Sequence, residues 1–295
     1  MYESYYGLKR NPFDIAPDPQ YLYLGKSHRE ALSQLLYGIK ERKGVIVLTG
    51  EVGTGKTLLL HYLLDKIDKD DQTKTVFLFN PKLNVNDFIH YVLRDLGVNA
   101  ETGTKGKALH LLSQTLRAIL QKGGQFILFI DEAQSLDPEL LEEIRLLSNL
   151  ETPEARMIQI VLVGQPELDE FLRQPHFRQI KQRIHLRYHL RPLSHHETEE
   201  YIEKRLKITE AKSPLFTRRA VKEIYDYSRG VPRVINILCD NSLLNAFASD
   251  QTIVDAECVE EAAKDLQIHM PPIRNIFRLL SGMIFKVKRF SLRMR

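Results

Sequence analysis

One segment of the chain combines glycines, a lysine and a threonine at a spacing that suits phosphate binding. Its residues form a complete G-x-x-x-x-G-K-T pattern: Gly50, Glu51, Val52, Gly53, Thr54, Gly55, Lys56 and Thr57. The glycines let the backbone wrap, so that successive N–H groups and the start of a following helix face an anion. Lys56 is expected to reach the β- and γ-phosphates of a nucleotide, and the Thr57 hydroxyl to ligate Mg²⁺. The residues expected to bind the nucleotide extend to Leu58, where helical spacing begins. The position of the motif between a predicted strand and a predicted helix favours phosphate binding over an ordinary glycine-rich turn.

Two acidic residues follow an apolar run farther along the chain. Asp131 and Glu132 come directly after residues 126–130, which read Phe-Ile-Leu-Phe-Ile. A strand that ends in this way places Asp131 beside the magnesium ion and leaves Glu132 to orient or deprotonate an attacking water. The alternative is that both residues simply begin the next turn. Together with the phosphate-binding segment, the pair predicts hydrolysis of ATP with Mg²⁺.

The elements that must position these residues alternate between two types up to residue 190. Apolar runs predict strands at residues 45–49, 75–79, 126–130 and 158–163, and alternating polarity predicts a fifth at residues 184–190. Helical spacing is found at residues 58–67, 88–96, 109–120 and 140–150. Strands that are buried on both faces and separated by helices predict an α/β fold with a parallel five-stranded sheet flanked by helices.

Beyond residue 190 the predicted elements are helices alone. Ser194 and Glu197 have the spacing of a capping box, Thr217 and Asp255 are N-cap candidates, and Pro232 suits the first turn of a helix. We therefore predict three parts. These are an α/β core over residues 1–190, an all-helical lid domain over residues 191–268, and a basic amphipathic tail over residues 269–295.

The net positive charge of the chain comes from its C-terminal segment. The sequence has 42 basic and 38 acidic residues, a net charge of +4, yet no acidic residue follows Asp265. Basic residues in the tail accompany apolar residues that recur at helical spacing over residues 273–290. Such a segment can lie on an anionic membrane surface, bind nucleic acid or dock on a partner. We favour membrane contact or docking, and packing on the lid is the alternative.

Composition excludes several other classes of protein. With 43% hydrophobic and 27% charged residues, the 295-residue chain is globular rather than disordered. Its two cysteines, Cys239 and Cys258, are too few for a disulfide framework and indicate a reducing compartment. The N-terminus lacks the pattern of a secretion signal, and no apolar run approaches the roughly 20 residues of a membrane-spanning helix. We expect a cytoplasmic protein.

Several short motifs occur in an order that is informative as a set. They are YYGL at residues 5–8, NPF at 11–13, PDP at 17–19, HREAL at 28–32, DEAQ at 131–134, LVGQPEL at 162–168 and GVPR at 230–233. With the phosphate-binding segment, this set resembles the AAA+ ATPases, and within them the ExeA/GspA type of the general secretion pathway. The resemblance covers residues 1–267. It implies a P-loop NTPase core followed by a C-terminal helical lid.

The resemblance also implies roles for two polar residues near strand ends. Gln165 stands where such ATPases keep the polar sensor that contacts the γ-phosphate and the lytic water; the alternative is a turn residue before Pro166. Asn80 corresponds to the polar partner that restrains the catalytic glutamate in many relatives. Its alternative is a residue that favours an Asn-Pro turn.

Three arginines take further roles from the resemblance. In similar ATPases the arginine just before the fifth strand reaches the nucleotide of the neighbouring subunit, which indicates Arg183, with Arg178 as the second candidate. A solvated basic helix face is the alternative. Arg233 matches the second sensor, which reaches the phosphates from the lid.

The resemblance finally implies partners and a location. The chain is expected to form an ATP-dependent homo-oligomer, a ring or a filament, and to act with membrane-associated secretion or envelope components. It would be cytoplasmic or peripheral at the inner membrane, with residues 273–295 on an anionic membrane surface. The alternative is a DNA-binding transposition regulator of the MuB/TnsC type, which carries the same core and would respond to duplex DNA.

Overall fold

The computed structural model describes residues 1–16, 18–67, 72–99, 104–152, 155–211 and 214–270. The predicted amphipathic tail lies outside the described residues from position 271 onward. The chain divides into two compact units. We call Pro17–Pro192 the sheet unit, and Met1–Ala16 together with the chain from Leu193 the helical unit.

The described residues form five strands and a series of helices. The strands are β1 Val45–Gly50, β2 Thr73–Leu78, β3 Gln125–Ile130, β4 Gln159–Gly164 and β5 Ile184–Leu190. The α-helices are α1 Tyr2–Tyr6, α2 Lys26–Lys40, α3 Lys56–Ile67, α4 Val85–Asp95, α5 Lys105–Gln121, α6 Pro138–Leu147, α7 Glu167–Arg173, α8 Arg178–Arg183, α9 His195–Ile208, α10 Arg218–Ser228, α11 Pro232–Ala248 and α12 Ala256–Asp265. Short 3-10 helices span Pro19–Tyr21, Ala133–Ser135 and Pro175–Phe177. Within these described ranges, no helix has the length and apolar character needed to cross a bilayer.

The five strands form one parallel sheet in the order β2-β3-β4-β1-β5, which confirms the predicted fold class. Every residue of β1 and of β4 is buried, because helices cover both faces of the sheet. β5 lies at one edge, and along it exposed and half-buried residues alternate until the buried Leu190. In this order the carboxyl ends of β3, β4 and β1 lie side by side at one edge of the central sheet.

Alternate residues of the central strands enter two separate apolar clusters, one on each face of the sheet. On one face Leu128 packs in a cluster with Phe88 of α4 and Leu112 of α5. On the other face Phe129 belongs to a cluster with Leu59 of α3. Burying one such side chain stabilises the fold by roughly 1.5–3 kcal/mol, so the two clusters hold the strand ends in fixed register.

Several predicted boundaries differ from the observed ones by a few residues. The second strand ends at Leu78 rather than at residue 79, and Phe79 is exposed. The helix predicted at residues 140–150 begins at Pro138 and ends at Leu147. One apolar residue lies shortly after each element, Phe79 after the strand and Leu150 after the helix, so the sequence pattern overruns the hydrogen-bonded structure.

The helical unit contains the caps that the sequence predicts. The Ser194 side chain accepts from the Glu197 backbone and the Glu197 side chain accepts from the Ser194 backbone, which completes a capping box at α9. Thr217 caps α10 through the backbone N–H of Ala220, and Asp255 caps α12 in the same manner. These side chains satisfy N–H groups that a helix start leaves without an intrahelical partner.

The opening segment belongs to the helical unit, which corrects the predicted domain boundary. The sequence prediction includes residues 1–16 in the α/β core. In the structure, Tyr2 hydrogen-bonds Asp240, the Tyr6 hydroxyl donates to the Gln251 carbonyl at 2.9 Å, and Asn11 Nδ2 donates to Asp240 Oδ1 at 2.9 Å. The segment therefore completes the helical unit by contacts with residues more than 200 positions away.

Candidate nucleotide site

The phosphate-binding segment forms the expected loop between β1 and α3. β1 ends at Gly50 and α3 begins at Lys56, so the glycine-rich residues make the connection between strand and helix. Gly53 has φ of +79° and Gly55 of +93°, backbone conformations that other residues rarely adopt. The loop and the first turn of α3 thus present backbone N–H groups at a helix N-terminus, which is a site for anionic phosphate.

Lys56 is held against this loop. Its side chain is 6% exposed, and Nζ donates to the carbonyl oxygens of Gly50 at 2.7 Å and Glu51 at 3.0 Å. Burial lowers the pKa of Lys56, while the nearby carboxylates, Glu132 first, act in the opposite direction. The ammonium group is therefore fixed beside the loop, where it can contact a bound phosphate chain.

A buried histidine supports the loop from α2. His28 is 3% exposed, and its Nε2 lies 2.9 Å from the carbonyl oxygen of Thr54. A Cβ atom added to Gly55 would lie 3.5 Å from the same nitrogen. The sequence shows this histidine within HREAL but indicates no role for it, because no local spacing connects position 28 with position 54.

The two predicted magnesium ligands meet in the structure. Thr57 Oγ1 donates to Asp131 Oδ2 at 2.7 Å, and Asp131 is 4% exposed. The other carboxylate oxygen, Oδ1, accepts from the backbone N–H of Glu132 at 2.9 Å. A hydroxyl and a carboxylate beside a phosphate loop are the hard oxygen ligands that Mg²⁺ prefers, so the residues present fit this ion.

Glu132 follows Asp131, one of the two predicted magnesium ligands, and contacts two amide side chains. Its Oε2 accepts from Gln134 Nε2 at 2.5 Å and from Gln165 Nε2 at 3.1 Å. The structure thus brings the predicted sensor Gln165 from the end of β4 to the predicted base at the end of β3. Gln134 was not predicted as a site residue; its place in DEAQ, two positions after Glu132, was the available signal.

Asn80 occupies a different environment from the one predicted. It follows the end of β2 by two residues, is exposed, and its Oδ1 accepts from the Lys82 backbone at 3.2 Å. The side chain is thus used within its own turn. Among the described residues, the amides that contact Glu132 are those of Gln134 and Gln165, and this corrects the expected partner.

The three predicted arginines lie on α8 and α11. Arg183 ends α8, is 35% exposed, and its Nη1 lies 4.0 Å from Glu151 Oε2. Arg178 begins the same helix and is exposed. Arg233 is the second residue of α11 in the helical unit and is exposed. Their roles toward nucleotide remain predictions.

Comparison with known proteins connects this geometry with one family. The family described as "AAA domain" matches residues 39–172, which include the phosphate loop, Asp131, Glu132 and Gln165. General secretion pathway protein A of Aeromonas hydrophila is 42% identical over 249 residues. The match covers 84% of this chain and 45% of that protein, so the chain spans about half the length of this curated relative.

Solved structures share the fold at low sequence identity. The ORC2 protein of Aeropyrum pernix, in ADPNP–ADP complexes, is 19% identical with a TM-score of 0.63, over 87% of this chain and 71% of that chain. Drosophila ORC bound to DNA is 17% identical with a TM-score of 0.66, over 95% of this chain and 72% of that chain. These likenesses confirm the fold.

Proposed function

Since the chain belongs to the AAA+ ATPases, we propose that it binds ATP with Mg²⁺ and hydrolyses it through Glu132. The observation that carries this proposal is the contact of 2.7 Å between Thr57 and Asp131, next to Glu132. It joins the phosphate loop to the carboxylates of β3, as a shared metal site requires. A glycine-rich turn without a metal function would not need this contact.

The residues of the sheet unit divide the chemistry among them. The backbone N–H groups of the loop and Lys56 bind the phosphates, and Thr57 and Asp131 would hold Mg²⁺. The ion supplies neutralisation of charge on the phosphate oxygens when it is bound. Glu132 orients a water molecule and accepts its proton, and Gln165 orients the same water and the γ-phosphate.

Hydrolysis is proposed to require a second copy of the chain. Arg183 would deliver its guanidinium to the nucleotide of a neighbouring subunit, with Arg178 as the second candidate, and Arg233 would act from the helical lid. A guanidinium stabilises the charge that develops during phosphoryl transfer. The active form is then a homo-oligomer, a ring or a filament.

The proposed cellular role is to drive or regulate assembly of a secretion or cell-envelope export system. Homology to general secretion pathway protein A supports this role. We place the protein in the cytoplasm, peripheral at the inner membrane, with residues 273–295 contacting anionic lipid. Those residues also support the alternative, a DNA-binding regulator of the MuB/TnsC type, because they carry basic residues and no acidic one.

One assay tests the activity and separates the two roles. Phosphate release by the full chain is measured alone, with phosphatidylglycerol liposomes, with phosphatidylcholine liposomes and with duplex DNA. We expect stimulation by the anionic liposomes only. Stimulation by DNA that falls steeply with salt would favour the transposition-type role. No phosphate release above that of Lys56→Ala under any condition would contradict the ATPase proposal.

A further inference from the structure

Gln134 connects the ends of two neighbouring strands through both ends of its amide. Its Nε2 donates to Glu132 Oε2 at 2.5 Å, and its Oε1 accepts from the backbone N–H of Gln165 at 3.0 Å. The Gln165 side chain also donates to Glu132 Oε2, at 3.1 Å. The three residues therefore form a closed set of hydrogen bonds between the end of β3 and the end of β4.

The backbone on both sides of Gln134 fits this arrangement closely. Glu132 has φ of +51°, a left-handed conformation that non-glycine residues keep only where their surroundings hold it. The Ser135 N–H donates to the Glu132 carbonyl at 2.8 Å, and this tight turn brings Gln134 back toward the glutamate. On the opposite side, a Cβ atom at Gly164 would lie only 2.6 Å from Gln134 Oε1. Glycine at that position leaves room for the amide.

Both amides donate to the same carboxylate oxygen. Within the described part of the chain, the amide contacts are to Oε2, and Oε1 is the oxygen that remains for a water molecule. A general base works only when its accepting atom is held in the correct geometry. Because Gln134 has its own bond to Oε2, it would still hold the glutamate if Gln165 turned its amide toward a γ-phosphate.

We propose that Gln134 is a positioning residue for Glu132, the role that the family resemblance implies for Asn80. The inference rests on the proposed role of Glu132 in ATP hydrolysis. Gln134 acts through the carboxylate: it fixes Oε2 and leaves Oε1 directed to the attacking water. It also ties this orientation to the backbone of Gln165, so the base and the sensor are set together.

The test replaces Gln134 by leucine, which keeps the approximate volume and removes both hydrogen bonds. We expect kcat for ATP to fall about 10- to 100-fold, the scale for a reactive group that loses its orientation. The KM for ATP and the Kd for a non-hydrolysable analogue should change less than about threefold, because Gln134 does not bind the phosphates. Gln114→Leu is the matched control, since Gln114 is exposed on α5 and hydrogen-bonds His110. Its kcat should equal that of the parent chain.

Repeating the substitution in a Glu132→Gln variant separates a positioning role from a general structural effect. With Glu132→Gln already present, Gln134→Leu should lower kcat no further, because the group that it positions has lost its function. Gly164→Ala gives an independent route, since it displaces the amide without removing it, and we expect a lower kcat there as well. If Gln134→Leu lowers kcat equally in both backgrounds, or leaves it unchanged or raised in the parent chain, the positioning role is overturned.

Failure of the proposed function gives a different result. A Glu132→Gln variant that turns over ATP at the parent rate would remove the base on which the inference rests. A Glu132→Gln variant that is inactive, beside a fully active Gln134→Leu variant, would contradict only the positioning role.

Discussion

Two regions of the sheet unit carry the predicted catalytic residues, and they differ in how their polar groups are satisfied. At the carboxyl ends of the central strands, Lys56 and Asp131 are buried and hydrogen-bonded within the chain. On α8, near the edge strand β5, Arg183 keeps about a third of its surface exposed and has a carboxylate 4.0 Å away. The chain thus brings together by itself the groups that we propose to bind phosphate and metal and to act as the base, whereas Arg183 is partly exposed.

The free-energy cost of displacing the side chains also differs between the central region and α8. A buried polar atom that loses its partner costs about 1–3 kcal/mol, so the central group is held firmly. An exposed ion pair contributes roughly 0–1 kcal/mol, and Glu151 therefore restrains Arg183 only weakly. The difference suggests a division of work in which the central group is preformed and the arginine acts on a second copy.

The largest effect is expected at Arg183. Arg183→Ala should lower the turnover of the assembled protein by about 10³-fold or more, because a trans-acting guanidinium has that effect in phosphoryl transfer. ATP binding measured by equilibrium fluorescence should be retained. Arg178→Ala, five positions earlier on the same short helix, is the matched comparison and should be close to the parent chain.

Mixing experiments connect this loss to a shared site. A Lys56→Ala subunit lacks a functional phosphate loop but retains Arg183, so equimolar mixing with Arg183→Ala should restore part of the phosphate release. Absence of rescue, together with confirmed mixed oligomers, would assign Arg183 to its own subunit or to no catalytic role.

A loss of similar or smaller size is expected at Glu132, which follows the carboxyl end of β3. Glu132→Gln should lower kcat by about 10²- to 10⁴-fold, because the amide cannot accept the water proton. ATP binding should persist, since the loop and Lys56 are intact. Glu139→Gln, at an exposed position in the first turn of α6, is the control for the loss of one carboxylate and should keep full activity.

Within the sheet unit, nucleotide affinity should depend on the central region and not on α8. Lys56→Ala removes a charged donor to the phosphates, which costs about 2–3 kcal/mol, or roughly 30- to 150-fold in Kd. Isothermal titration with the non-hydrolysable analogue measures this change. An equal loss of affinity in Arg183→Ala would erase the distinction between the two regions.

The smallest effects are on folding stability, and they compare the regions directly. Thr57→Val leaves Asp131 without its hydroxyl donor, and we expect the free energy of unfolding to fall by about 1 kcal/mol. Glu151→Gln weakens the exposed pair with Arg183 and should change it by less than about 0.5 kcal/mol. Urea denaturation followed by circular dichroism measures both variants, and equal effects would contradict the contrast in burial.

Much of the central region was predictable from the sequence because its determinants are local. Apolar runs locate the strands, and parallel strands place their carboxyl ends at one edge, so the proximity of Thr57 and Asp131 follows. The contact between Gln165 and Glu132 follows in the same way from adjacent strands. The fifth strand was also predictable, because apolar and polar residues alternate along it in the sequence. In the structure these residues are half-buried and exposed in turn.

The residues that were missed or misplaced depend on local backbone geometry or on a contact between distant positions, and the sequence pattern shows neither. His28 contacts the Thr54 carbonyl from α2, 26 positions earlier in the chain. The hydrophobic periodicity of the sequence gives no information about such a contact. Gln134 contacts Glu132 because of a left-handed turn, which the sequence does not signal at a non-glycine residue. Asn80 was expected at the end of β2, but β2 already ends at Leu78. The Asn80 side chain accepts from the Lys82 backbone in the following turn instead of contacting Glu132.

A crystal structure of the full chain with Mg²⁺ and a non-hydrolysable ATP analogue tests the central claim most directly. We predict the β- and γ-phosphates against the backbone N–H groups of the loop and Lys56 Nζ, with the metal bound to Thr57 Oγ1 beside Asp131. Density for the nucleotide away from this loop, or a metal ion bound without Thr57 and Asp131, would contradict the account.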